Sequence, residues 1–188
     1  MNKKNISLFL VALTFITNTM LQAIPLLHEA VNRGDAIAIR RLLATETVNV
    51  NALYQGWSAL YCAAFNGHVD CVKELIANGA NINDQNNFLH RTPLHAAAGE
   101  GHLACVKELA QKWTIEIDAQ DSNGWTPLHW AAWFGHVACI EFLVDNGALI
   151  GNAADLATEK KFHDIADYLK IQEKKRLKNQ PESEEKPS

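Results

Sequence analysis

Histidine and cysteine recur in this chain at a spacing that could bind a metal ion. His68 and Cys71 stand three positions apart in "HVDC", and the same pair returns in "HLAC" and "HVAC". Residues at i and i+3 lie on one face of a helix, so each pair offers an imidazole and a thiol to one side. Zinc is bound by both of these side chains in proteins. A metal site built from the His-x-x-Cys pairs is therefore one hypothesis.

The stretch "GWTPLHWAAWFGH" over residues 124–136 is the second candidate for chemistry. It contains three of the five tryptophans of the chain, together with His129 and His136. Histidine titrates near neutral pH, so imidazoles among aromatic rings could transfer protons. The sequence has no G-x-S-x-G, H-E-x-x-H, G-x-G-x-x-G or P-loop motif that would support catalysis. We therefore expect a protein that is not an enzyme and has no cofactor.

An internal repeat places these residues in register. Gly34, Gly67, Gly101 and Gly135 are 33, 34 and 34 positions apart, and each is followed by a second apolar-periodic run. A period of this length indicates a solenoid in which every repeat is one supersecondary unit. The blocks that superpose without gaps are "LLHEAVNRGD", "ALYCAAFNGH", "PLHAAAGEGH" and "PLHWAAWFGH".

Each repeat carries signals for two helices. Thr92 and Thr126 stand before proline, which is the order of an N-cap followed by the first helical residue. The Gly-His pair then ends the first helix and begins the second. Gly79 and Gly147 can adopt the left-handed conformation that ends a helix. The pattern therefore predicts helix-turn-helix pairs joined by loops.

The segments "TPLHAAAGEGH" (92–102) and "TPLHWAAWFGH" (126–136) resemble the ankyrin repeat, whose pattern is TPLHxAAxxGH. The resemblance extends from Pro25 to about Lys170. It implies an all-α solenoid of stacked helix pairs with hairpin loops, closed by a capping half-repeat. Ser58 and Tyr61 replace the threonine and histidine of the second copy. The implied boundaries are 24–52, 53–86, 87–120 and 121–152 for the repeats and 153–170 for the cap, which has Lys161 in place of the usual glycine.

The resemblance changes the interpretation of the histidines and cysteines. Six of the eight histidines occupy two repeat slots, where imidazoles bridge neighbouring units of the scaffold. Cys71, Cys105 and Cys139 occupy a slot that is normally a buried aliphatic residue. Helices pack about 10 Å apart, beyond the roughly 7 Å between Cα atoms that a disulfide allows. We expect buried free thiols, with zinc binding by the His-x-x-Cys pairs as the less favoured alternative.

The positions that the repeat does not fix are the candidates for partner binding. In the ankyrin family, ligands dock against the hairpin tips and the exposed face of the first helices. Seven of the fifteen such positions are aromatic, which predicts a surface of binding hot spots. Trp130 is expected to pack inside the stack instead, and Trp113 could lie inside or outside. The predicted partner-binding residues are Tyr54, Trp57, Phe65, Phe88, Arg91, Trp125, Trp133 and Phe134, with the three tryptophans as the main anchors.

The first 23 residues have the order of a secretory signal peptide. A lysine-containing start precedes the apolar run "ISLFLVALTFIT", and Ala23 is the predicted cleavage position. Removal would delete Lys3 and Lys4 and no acidic residue, so the net charge would change from −4 to −6. We expect a protein exported to the periplasm or outside the cell, with a bacterial origin. The alternative is an uncleaved segment that anchors a structural accessory of an envelope protein in the membrane.

Composition narrows the class of partner. The apolar fraction of 48% indicates a folded domain, and the negative net charge argues against nucleic acid as a ligand. Residues 171–188 are charged and contain two prolines, so we expect a disordered tail. The sequence as a whole predicts a monomer that binds an unidentified protein, with no membrane contact unless the N-terminal segment is retained.

Overall fold

The structure is a computed structural model that describes residues 22–45, 48–85 and 88–179. These ranges contain ten helices and one short hairpin. In chain order the elements are α1 (22–32), α2 (Ala36–Leu43), β1 (Leu53–Tyr54), β2 (Trp57–Ser58), α3 (Ala59–Phe65), α4 (Val69–Ala77), α5 (Pro93–Gly99), α6 (Leu103–Ala110), α7 (Pro127–Phe134), α8 (Val137–Asp145), α9 (Ala153–Glu159) and α10 (His163–Lys178).

The first helices of repeats three and four begin at a reciprocal cap, as the Thr-Pro signals predict. The backbone N–H of Thr92 donates to Nδ1 of His95, and the threonine side chain accepts from the backbone N–H of His95. Thr126 and His129 form the same pair at α7. The following proline lacks an N–H that would need a partner here, so the helix starts without an unsatisfied donor.

Glycine ends these helices where the repeat predicts it. Gly67, Gly101 and Gly135 have φ angles of +73°, +75° and +78°, a conformation that other residues adopt only at a cost. Gly79 and Gly147 are also left-handed, at the ends of α4 and α8. In contrast, α2 and α6 lack a glycine and end on right-handed C-cap residues.

The helix pairs stack in two rows. The first helices of the repeats contact one another in the order α3, α5, α7 and α9, while α2, α4, α6 and α8 form the second row. Leucines of both rows fill the interior between them. Because each row would expose these leucines to water without the other, the two rows stabilise one another. The predicted solenoid of stacked pairs is confirmed. Its fully buried leucines are Leu27, Leu60, Leu94 and Leu128 in the first helices and Leu75, Leu109, Leu143 and Leu169 in the second.

The hairpin before α3 has a tight turn. β1 and β2 are antiparallel, and Tyr54 is paired with Trp57. Gln55 and Gly56 between them both have positive φ, as a two-residue type I′ turn requires. The hairpin therefore presents Tyr54 and Trp57 side by side at the start of the second repeat.

Side-chain oxygens in the loops connect each repeat to the next. Asn51, Asn83 and Asp118 stand at equivalent positions, and each accepts a backbone N–H from the following repeat. These bonds fix the spacing of the loops along the stack. The donors are Asn81, Glu116 and Leu149, at 2.8, 3.0 and 2.8 Å respectively.

The closing half-repeat is longer than predicted. Lys161 adopts the left-handed conformation of the missing glycine, with φ +66°. Helix α10 then continues to Lys178, so the predicted disordered tail from residue 171 is wrong for its first eight residues. The guanidinium of Arg176 donates to the carbonyls of Val144 and Ala148 at the end of α8, which holds the extension in place. Residues 180–188 lie outside the described part of the chain.

The predicted signal segment is also largely outside the described ranges, which begin at residue 22. Ala23, the predicted cleavage position, lies in α1 and is buried. Over the described residues, none of the helices combines the length and the apolar character that a membrane span needs.

Candidate protein-binding surface

Three aromatic side chains form a first cluster at the start of repeat two, here called the α3 cluster. Trp57 of the hairpin packs on Tyr61, with ring centroids 4.5 Å apart. Tyr61 in turn stacks with Phe65 at 6.4 Å. Tyr61 and Phe65 are four positions apart on α3, so they lie on the same face of that helix.

Four aromatic side chains form a second cluster in repeat four, here called the α7 cluster. Trp125 lies in the loop before α7, and its ring is 5.3 Å from Trp130 and 5.0 Å from Trp133. Trp130 stacks with Phe134 at 5.8 Å. The four rings thus form a continuous chain of contacts, in which Trp125 and Trp130 are the two central members.

The helix between the two clusters carries only small side chains on this side. Ala96 and Gly99 of α5 stand at the repeat positions that Cys62 and Phe65 hold in α3 and that Trp130 and Trp133 hold in α7. The Trp130 ring leans over Gly99, since a Cβ atom added there would be 3.5 Å from it. The small residues therefore allow the α7 cluster to extend across α5.

Arg91 connects the two clusters. Its guanidinium carbon is 3.8 Å from the centroid of the Trp130 ring, a cation–π contact. The same side chain lines a groove with Trp57 and Tyr61 of the α3 cluster. Lys160 makes a similar contact at the far side, with its Nζ atom 3.4 Å from the centroid of the Trp133 ring.

The buried carboxylate of Asp121 forms hydrogen bonds with residues of the α7 cluster. The Asp121 side chain is fully buried, and its Oδ1 atom accepts the backbone N–H groups of Asn123 and Trp125. Its Oδ2 atom accepts the indole N–H of Trp130 at 2.9 Å and lies 3.6 Å from Nε of Arg91. One side chain thus fixes both tryptophans and the arginine.

The groove beside α3 has a volume of about 370 Å³. Its lining is mostly apolar, with two asparagines at one rim and Arg91 at another. Asn66 donates to the side-chain oxygen of Asn32 across neighbouring repeats, at 3.3 Å. The residues that line the groove are Asn32, Trp57, Tyr61, Cys62, Phe65, Asn66 and Arg91, which include one cation and no carboxylate.

The sequence-predicted residues all lie on or beside this surface, at different depths. Phe65 and Phe134 are 45% and 48% exposed, whereas the three tryptophans proposed as anchors are half-buried. Phe88 is 72% exposed and lies against Gly56 of the hairpin, while Tyr54 faces the ring of His28 at 5.4 Å. That these residues contact a partner stays a prediction.

Trp130 and Trp113 are the two tryptophans that were not predicted to bind a partner. Trp130 was expected inside the stack, and it does contact Gly99 of the preceding repeat, but its ring is half-buried and belongs to the α7 cluster. The expectation was wrong because Gly99 leaves space at the surface rather than in the core. Trp113, which the sequence left open, is 96% exposed.

Sequence reasoning also missed side chains that complete the surface. Neither Asp121 nor Lys160 was predicted from the sequence, and Tyr61 was noted only as a departure from the repeat pattern. The i, i+4 spacing of Tyr61 and Phe65 was a signal that could have placed Tyr61 correctly.

His95 and His129 occupy the first of the two histidine slots of the repeat, and they are part of the scaffold, as predicted. His95 Nδ1 accepts from Thr92, so its hydrogen is on Nε2, which donates to the carbonyl of Trp125 in the next repeat at 2.9 Å. His129 is held in the same way and reaches the side chain of Asn152. Burial lowers the pKa of His95 to about 4 and also lowers the pKa of His129. Both imidazoles are neutral at pH 7 and fully engaged in bridging repeats.

The histidines of the second slot bond to the preceding repeat, whereas His95 and His129 bond to the following one. The rings of His68, His102 and His136 lie against the glycine of the preceding repeat. Their Nε2 atoms are 3.4, 3.0 and 2.9 Å from the carbonyls of residues 32, 65 and 99. Phe162 occupies this position in the closing half-repeat, against Gly135.

The cysteines that follow these histidines lie in the core, as predicted. Cys71, Cys105 and Cys139 are free and buried, and burial raises the pKa of each thiol to about 11. Within the described residues there is no cluster of three or more His, Cys, Asp and Glu side chains that could hold a metal ion. The geometry therefore gives no support to the His-x-x-Cys zinc alternative.

Comparison with known proteins agrees with this architecture. A family model described as ankyrin repeats (3 copies) matches residues 6–86 and 79–155. Over 59 residues the chain is 42% identical to cortactin-binding protein 2 of Ornithorhynchus anatinus and 41% identical to that of Plecturocebus moloch. The aligned segment is 31% of this chain and only 4% of the length of either relative.

Proposed function

Because the chain belongs to the ankyrin-repeat family, a class of protein–protein interaction modules, we propose that it binds a protein partner through the α3 and α7 clusters. The observation that carries this proposal is the continuity of the surface. Two sets of aromatic rings are joined by Arg91 across the small residues of α5. The binding is non-covalent and the protein is not an enzyme.

The arrangement of the rings supports tight binding. Aromatic and arginine side chains dominate the hot spots of protein interfaces. Asp121 holds the indole of Trp130 and the backbone of Trp125 before any partner arrives, so little side-chain entropy is lost at Trp130 on binding. Phe65 and Phe134 are the most exposed rings of the two clusters, so among these rings they gain the most from burial.

Affinity capture with two matched variants tests the proposal. Phe65→Ala/Phe134→Ala removes the two exposed rings and leaves the core intact. Ile37→Ala/Leu149→Ala is the control, because it removes two apolar side chains that are 63% and 64% exposed elsewhere on the molecule.

The wild-type chain and the control should retain the same partner. The aromatic variant should bind that partner roughly 30-fold more weakly or worse, since one hot spot contributes about 2 kcal/mol or more. Equal retention of the partner by both variants would refute this use of the surface.

We also propose that the chain is exported by residues 1–23 and acts in the periplasm or outside the cell, with cleavage after Ala23. The support is the basic start, the apolar run and the small residue at the cleavage position. The family match, however, begins at residue 6, which favours a second candidate in which the segment is retained and anchors an envelope accessory. Intact-mass measurement on exported material separates them, because the chain begins at Ile24 in the first case and at Met1 in the second.

A further inference from the structure

We infer that the groove beside α3 accepts a large apolar side chain from a linear segment of the partner, and that Arg91 pairs with a neighbouring carboxylate of that segment. This inference rests on the proposed function, and it names the chemistry that the surface selects. The occupant is thus a peptide in which an acidic residue stands next to a large apolar one.

The size and lining of the groove define the apolar part of the motif. Its volume of about 370 Å³ is near the lower end of the range for binding pockets, roughly 300–1,000 Å³. Such a volume suits one or two side chains rather than a folded element. Trp57, Tyr61 and Phe65 form its walls, and Cys62 contributes a neutral thiol, whose pKa is raised to about 11 by burial. A leucine, methionine or phenylalanine side chain matches this lining.

The charge of the groove defines the acidic part. Arg91 is the one charged residue in the lining, and its Nε atom is buried without a hydrogen bond in the described structure. Its carboxylate neighbour Asp121 is 3.6 Å away and already accepts three other N–H groups. Glu100 lies near Tyr61 but outside the lining. Asp121 is fully buried and lies outside the lining, so Arg91, whose side chain is 22% exposed, is the one charged group of the lining that a ligand meets.

The position of Arg91 makes it selective for a carboxylate. Its guanidinium is fixed against the Trp130 ring, so it does not lose its freedom when a ligand binds. A planar guanidinium also matches a carboxylate in geometry, which an ammonium does not. Asn32 and Asn66 at the opposite rim offer amide donors and acceptors of the kind that bind a peptide backbone.

A display library of random 12-residue peptides, selected on the full-length chain, tests the inference. Four proteins are compared: wild type, Arg91→Gln, Phe65→Ala and the control Lys73→Gln, which removes one exposed cation from the outer helix α4. Wild type and control should enrich peptides that have Asp or Glu within two positions of Leu, Met or Phe. Arg91→Gln should lose the acidic preference and keep the apolar one, while Phe65→Ala should lose the apolar preference.

A second measurement needs no variant and so does not depend on how Arg91→Gln folds. One selected peptide and its Asp→Asn counterpart are titrated into the wild-type chain, and the neutral peptide should bind about 10-fold more weakly. Equal affinities, an acidic preference that survives in Arg91→Gln, or the absence of any enriched peptide would each overturn the inference. If the aromatic variant still loses its captured partner in that case, the proposed function stands and only the acidic motif fails.

Discussion

Repeats two and three differ at the slot that follows the helix start, and the difference separates scaffold from surface. In repeat three the slot holds His95, which caps its own helix and bonds to the next repeat. In repeat two it holds Tyr61, whose ring lines the groove between Trp57 and Phe65 and whose phenol interacts with the Arg91 side chain. Tyr61 thus forms part of the groove at the position where His95 forms hydrogen bonds between repeats. A departure from the repeat pattern thus marks the place where the protein gains a specific surface.

The strongest way to test this comparison is to remove the bridging group. His95→Ala leaves the Thr92 N–H and the Trp125 carbonyl without partners and opens a cavity, so it should destabilise the chain by about 4 kcal/mol. Tyr61→Phe removes only a hydroxyl from repeat two and should cost less than about 1 kcal/mol. Urea unfolding followed by circular dichroism at pH 7 measures both. Similar losses in the two variants would contradict the assignment of His95 to the scaffold.

Acid provides a second test, with a smaller effect. Burial lowers the pKa of His95 to about 4, whereas the unfolded chain has a value near the ordinary 6.5. The unfolded state therefore binds more protons below pH 6.5, and stability falls as the pH drops from 6.5 towards 4. Between pH 7 and pH 5 the loss from this residue should be about 2 kcal/mol, and His129, whose pKa is also lowered by burial, adds to it.

The measurement is the free energy of unfolding in urea at several pH values. His163→Gln serves as the matched control, because it replaces a histidine that is exposed. A profile that is flat between pH 7 and pH 5 in the wild-type chain would show that the buried imidazoles are not neutral in the fold.

The smallest effect is expected from restoring the family residue in repeat two. Tyr61→His can form the cap with Ser58 but loses the ring contacts with Trp57 and Phe65, so stability should change by less than about 1 kcal/mol. Its unfolding should become more sensitive to acid, because a further buried imidazole is added to His28, His95 and His129. Affinity for the peptides selected by the wild-type groove should fall, as titration calorimetry can measure. Unchanged affinity would place Tyr61 among the scaffold residues.

Local spacing in the sequence was sufficient to predict the threonine caps and the left-handed glycines, because these depend on residues a few positions apart. The repeats followed from a period of 33 to 34 residues, and the bridging role of the histidines followed from the resemblance to the ankyrin repeat. The contact between Arg91 and Trp130 joins residues that belong to different repeats, at positions that the repeat leaves free. The Trp130 ring lies over Gly99 of the preceding repeat, and no local pattern reveals this packing.

The end of α10 illustrates the same limit. Its sequence is charged and rich in lysine, so composition favoured a disordered tail. The helix persists because one side chain, Arg176, reaches two carbonyls about 30 positions earlier in the chain. A contact of this length is decided by the packing of the last two repeats and not by the local residues.

The buried cysteines have a consequence for the time before the chain folds. Folding raises the pKa of Cys71, Cys105 and Cys139 from 9 to about 11, which reduces the reactive thiolate about 100-fold at any given lower pH. Burial also removes them from contact with dissolved oxidants. In an oxidising compartment the stack would therefore keep these three cysteines reduced, provided that it assembles faster than the extended chain is oxidised. The rate of folding would then determine how much of the protein is lost to thiol oxidation.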